Sequence, residues 1–165
     1  MVFGIEFFIG LVQTFGYLGA VLIGFLSSFT LFIPSPAFIA VFLLASVLNP
    51  LLLGIFTGIG SAIGEMIGYV IGYGIGKAGK KKGKFKKQIM KTGKLFENHH
   101  PDLIIFLFAT LPFLPIDAVG IFCGAIKYDK KRFFLIVTVG KIIKFTLIAY
   151  AGFYGFEYFK NLFNL

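Results

Sequence analysis

The sequence predicts an all-α integral membrane protein, an inverted repeat of two opposed re-entrant helical hairpins plus transmembrane helices. Three features predict it. Residues 7–64 contain no Asp, Glu, Lys or Arg, which is more apolar chain than one span across a hydrocarbon layer of about 30 Å uses. Two proline pairs, Pro34 with Pro36 and Pro112 with Pro115, interrupt apolar stretches whose separate pieces are too short to cross. Basic residues gather between Lys77 and Lys94 and between Lys127 and Arg132, which places both segments on the cytoplasmic side.

Residues 1–165 read as a single membrane domain, and each element has its own justification. Residues 5–24 form a first helix carrying Gly10, Gly16, Gly19 and Gly24. The leading residues lack the basic stretch and small-residue cleavage site of a secretory signal, so they are read as mature structure. Residues 25–48 form the first re-entrant hairpin, broken at Pro34 and Pro36; broken backbone at membrane depth is tolerated only inside protein or beside a wet cavity. Residues 51–76 form a transmembrane helix with Gly60, Gly64, Gly68, Gly72 and Gly76 at four-residue spacing, which lets another helix approach closely. Ser61, Glu65, Tyr69 and Tyr73 repeat at the same spacing, a polar stripe expected to face protein.

Residues 77–101 are the basic cytoplasmic loop, where Phe85, Ile89 and Phe96 share one face of a helical pattern ringed by lysines and suited to an anionic leaflet. Residues 103–126 have the length of a span but hold Pro112 and Pro115 between two basic flanks, so this segment enters and returns on one side. It is the second hairpin. Residues 133–156 form the last span, which ends near Tyr150, Tyr154 and Tyr158, residues that favour the opposite interface. The amino terminus is then cytoplasmic and the carboxyl end outside.

Composition narrows the function. Hydrophobic residues make up 58% of the chain, which leaves little for a soluble appendage. The net charge of +9 does not point to nucleic acid, because nine of the sixteen cationic side chains are lysines in the loop beside the spans. The single Cys123 excludes an intramolecular disulfide. Adjacent His99 and His100 point in different directions on a helix and have no acidic or thiol company, so no metal is expected. With no nucleophile, phosphate-binding glycine loop or paired catalytic carboxylates, neither an enzyme nor a cofactor is expected.

Four ionisable residues fall at membrane depth: Glu65, Asp117, Lys141 and Lys144. Their distances in sequence from the basic flanks place all four about 13 to 18 Å from the inner boundary. Two acids and two bases cancel, and a charge in hydrocarbon costs several kcal/mol unless it is paired or wet. A structural cluster and a transport pathway both fit this pattern; intramembrane ionisable groups favour the pathway. Thr138, Lys141 and Lys144, spaced by three, add a polar seam to the last helix. Tyr69 joins the site from the glycine-rich helix.

The stretch GSAIGEMIGYVIGYGIG, with Glu65, Gly68 and Tyr69, resembles the repeated-glycine motif of the DedA family, also called the VTT or SNARE-associated membrane domain. LPFLPIDAVGIFCGAIKYDKKRFF resembles that family's second hairpin in Pro112, Pro115, Asp117, Gly124, Phe133 and Phe134. With IPSP, the likeness to a small prokaryotic-type member covers approximately Leu31 to Gly155. Three departures from the pattern involve four residues: Pro36 and Ala37 stand where members often carry an acid, and Tyr73 and Ala109 each where they often carry arginine. Lys141 and Lys144 are candidates for the displaced positive charge.

The resemblance implies a membrane protein that moves lipids, as a scramblase or as an ion-coupled carrier of phospholipid or polyprenyl-phosphate type lipids. Its expected partners are membrane lipids with anionic headgroups, with proton or cation coupling and no nucleic acid, in the cell membrane as a multi-pass protein. The alternatives are an ion- or proton-coupled transporter of small solutes and a non-transporting structural or assembly protein. Glycine stripes also permit a homo-oligomer.

Overall fold

The computed structural model describes residues 2–28, 36–79, 96, 100–112 and 114–163, without the side chains of residues 2–5, 8, 36, 79 and 159–163. Among the described residues the chain is all-helical: α1 (Val2–Phe15), α2 (Tyr17–Ser27), α3 (Pro36–Leu44), α4 (Pro50–Gly79), α5 (Pro101–Thr110), α6 (Ile116–Ile126) and α7 (Lys130–Phe163). Of these, α4 and α7 are long and apolar enough to cross a membrane. The expected helix in the loop lies outside the described residues, apart from Phe96.

Local signals set the ends of the two long helices. Asn49 Oδ1 accepts hydrogen bonds from the backbone N–H of Leu51 and Leu52 at 3.0 and 3.2 Å, and Pro50 occupies the first turn, where its missing donor costs nothing. Asp129 Oδ1 accepts from the Arg132 N–H at 2.7 Å and starts α7 in the same way.

The expected single helix over 5–24 is instead two helices, because Gly16 adopts φ +58° between α1 and α2. A left-handed residue reverses the chain there, and Gly19 completes the reversal: a Cβ on it would collide with the Leu11 carbonyl. The first arm beside the prolines is therefore α2. Pro34 lies outside the described residues, and Pro36 is the first residue of α3. Pro112 and Pro115 fall in the break between α5 and α6, where the missing donors and the restricted preceding residues stop one helix and start the next.

Packing is organised on α4 and α7, which run antiparallel: Gly54 meets Thr146, Gly58 meets Ile142, and Tyr69 packs on Phe133. Parallel to α4 lies α2, from Tyr17 on Phe56 to Ser28 beside Gly64. Farther along the same helix lies α6, from Asp117 over Gly68 to Ala125 against Gly76. Of the other three short helices, α1 packs on α2 and α3, and the remaining two lie along α7. Ala109 of α5 packs on Gly140, whereas α3 sets Phe38 on Phe145 and Phe42 on Gly152. Two apolar cores result, one around Ile23, Val41, Leu53 and Phe145, the other around Ile105, Val137, Cys123 and Phe133.

The exposed Lys77, Lys127, Lys130, Lys131 and Arg132 mark one end of this bundle. Both ends of the α5–α6 segment lie there. The Tyr128 hydroxyl, just past α6, donates to the Asp102 carboxylate in the first turn of α5, and Phe96 packs on Phe122 and Tyr128. Each arm, of ten and eleven residues, is then about 15 Å long and turns back at the prolines.

Candidate functional site

Glu65 and the two lysines lie where the short helices give way to one another. On α4, the contacts of α2 end at Ser61 and Gly64, and those of α6 begin at Glu65 and Gly68. On α7, the contact with α5 falls at Gly140 and that with α3 at Phe145, so Lys141 and Lys144 occupy the interval. Glu65 is 2% exposed, Lys141 6% and Lys144 4%. Lys141 Nζ stands 3.1 Å from Glu65 Oε2, an ion pair that joins the two long helices at mid-length.

The carboxylate is held from several sides. A Cβ on Gly120 would come within 3.3 Å of Glu65 Oε1 and 3.5 Å of the Phe133 ring, so the acid rests against the backbone of α6. Its Oε2 carries the ion pair and accepts no aligned hydrogen bond. Asp117 is half-buried in the first turn of α6, near enough to Lys141 and Lys144 to feel their charge and at the helix end where a negative group is favoured. Lys144 interacts with Lys141, Glu65 and Asp117 through space, but makes no hydrogen bond or ion pair among the described residues. Within this setting one acid and one base neutralise each other by contact, and the second base is left open.

A hydroxyl pair lies one helical turn from Glu65. Ser28 Oγ donates to the Ser61 carbonyl at 2.8 Å and lies 3.1 Å from Ser61 Oγ, while Ser27 Oγ donates to the Gly24 carbonyl at 2.6 Å. Ser61 stood in the polar stripe; Ser27 and Ser28 had no sequence signal beyond lying near the end of an apolar run. The close approach of α2 that joins them depends on Gly24 and Gly60, where any Cβ would collide with the Thr57 or Val21 carbonyl.

A family model of the VTT domain matches residues 33–154, well over half of the chain. The chain belongs to the VTT domain family. This DedA family domain therefore includes α3 to α6, most of α7 and all four charged residues, and α1 and α2 precede it. Membership makes the chain a membrane protein of transport or lipid-related role, consistent with two helices of spanning length. A search of curated proteins finds no match, and neither does a search of solved structures.

Other candidate residues of this VTT domain lie away from the ion pair. The Tyr69 hydroxyl donates to the Tyr128 carbonyl and its ring packs on Phe133, which places it one turn nearer the basic end. Thr138 Oγ1 donates to the Phe134 carbonyl of its own helix at 2.7 Å. Tyr73 is exposed and carries Lys127 Nζ 5.6 Å above its ring. The polar stripe thus divides among three neighbours: Ser61 to α2, Glu65 to α7, and Tyr69 to the segment after α6. Asp102 and Tyr128 were missed by sequence reasoning, although two hairpin arms of similar length bring such residues together.

Proposed function

We propose that this VTT domain is a lipid translocator, a scramblase or flippase for phospholipid or polyprenyl-phosphate type lipids. The two hairpins, α2–α3 and α5–α6, are re-entrant and enter from opposite faces as an inverted repeat. In each half the first arm lies along its own long helix, and the second arm lies along the long helix of the other half. That exchange is the packing expected of a pseudo-twofold axis in the membrane plane, a plan shared by many transporters. The basic end is cytoplasmic and the carboxyl end outside. The amino terminus expected inside rested on one span over 5–24, which the reversal at Gly16 replaces with a fourteen-residue α1 too short to cross.

One observation carries this reading: the buried Glu65–Lys141 pair and Lys144 occupy the gap between the hairpin arms, at mid-length of both long helices. A headgroup crossing there exchanges its water for fixed charges and for the amino-terminal end of α6, while its chains stay in lipid. Anionic lipids gather at the lysine-rich face.

The test uses purified protein in liposomes holding a fluorescent phospholipid, with dithionite added outside, with and without a proton gradient. Loss of nearly all fluorescence without a gradient identifies scrambling; gradient dependence identifies coupled transport. Protection of the inner leaflet under both conditions contradicts lipid translocation and leaves a small-solute transporter or an assembly protein.

A further inference from the structure

In sequence the two intramembrane lysines look interchangeable, three residues apart on one face of α7. Their surroundings differ. Lys141 is committed at 3.1 Å to Glu65, and Glu65 is itself fixed against Gly120. Lys144 lies farther along α7, is 4% exposed, and has no hydrogen-bond or ion-pair partner among the described residues. The groups facing it are the like-charged Lys141 and the acids Glu65 and Asp117, both beyond contact distance. Its side chain is enclosed but its Nζ is not among the fully sealed polar atoms, so the ammonium has given up most of its hydration, keeps an opening, and has no contacting counter-ion. Leu or Met would fill the same volume without that cost.

We propose that Lys144 is the group of this site that binds a phosphate oxyanion, a cation held without a contacting counter-ion so that the ligand supplies one. It is distinct from Lys141, which is a strut. The inference deepens the lipid-pathway reading and rests on it for the source of the oxyanion, a headgroup; the site itself stands on the geometry. Glu65 occupies Lys141 and thereby directs the incoming charge to Lys144. Nearby, Pro115 opens α6 without a side-chain cap and the Asp117 carboxylate takes up its own N–H, which leaves other first-turn donors for the remaining oxygens.

The full chain in neutral detergent tests this, as wild type, Lys144→Met, Lys144→Arg and Lys141→Met. Melting temperature is read at constant ionic strength with inorganic phosphate or with short-chain phosphatidylglycerol. Lys144→Met is expected to melt at least about 2 °C above wild type and to lose the ligand-induced rise, whereas Lys144→Arg keeps it. Lys141→Met melts lower and keeps the rise. A rise with lipid alone identifies a headgroup site; a rise with both probes identifies a general phosphate site. The proposal is overturned if Lys144→Met retains the full rise, if it melts below wild type, or if neither probe shifts the wild type. A protein that binds through Lys144 but moves no lipid in the dithionite assay contradicts the transport reading alone.

Discussion

Glu65 Oε2 and Lys141 Nζ lie 3.1 Å apart across α4 and α7, both side chains nearly sealed from the surface. A buried pair of this kind adds little net stability, because desolvation offsets the attraction, but removing one partner strands the other. Glu65→Leu or Lys141→Met alone is therefore expected to cost about 3–5 kcal/mol, and the double variant to recover most of that loss. Unfolding in mixed micelles measures the cycle. Additive losses in the double variant contradict the pairing.

The glycines of α4 divide by face. A Cβ on Gly72 would collide with the Ile121 carbonyl of α6, whereas one on Gly74 meets nothing within 4 Å. Gly72→Ala is expected to separate α4 from α6 and to destabilise the fold by about 1–3 kcal/mol. Gly74→Ala is expected to stabilise it by about 0.5–1 kcal/mol through helix propensity. Equal effects at the two positions would refute the close contact. The same micelle unfolding experiment reads both.

Tyr128 closes the open end of the second hairpin through Asp102. Burial pushes its phenol above the ordinary value of 10.0, and the hydrogen bond and charge of Asp102 add to the shift. An acid held protonated in the folded state contributes fully below its unfolded value and loses that contribution as pH rises beyond it. Tyr128→Phe is expected to cost about 1 kcal/mol at neutral pH and to lessen the loss of stability between pH 9 and 11, values set around the ordinary phenol range. Melting curves of the two proteins across that interval check the difference. An unchanged slope contradicts the role.

Much of this was legible from local pattern. The charge-free run and glycine spacing marked α4 to within a few residues at each end, and the prolines marked the break between α5 and α6. Residue counts from the basic flanks put Glu65 and Lys141 near the middle of α4 and α7, where their ion pair lies. Partner choice did not: Lys141 and Lys144 differ only in what α3, α5 and α6 place beside them, and that is tertiary information. Gly16 looked like another packing glycine, because periodicity does not distinguish a small-residue contact from a left-handed turn. Thr138 shows the converse, a polar residue whose hydroxyl is satisfied within its own helix.

The most direct test of opposed hairpins is the sidedness of their ends. In a Cys123→Ala background, single cysteines at the exposed positions Leu18, Val47, Leu103 and Lys130 are challenged with a membrane-impermeant maleimide from each side in turn. Re-entrant geometry predicts that Leu103→Cys and Lys130→Cys react from the cytoplasmic side, and that Leu18→Cys and Val47→Cys react from the other. Labelling of Leu103→Cys and Lys130→Cys from opposite sides would mean that residues 101–126 cross the membrane, and the site between the hairpins would not exist.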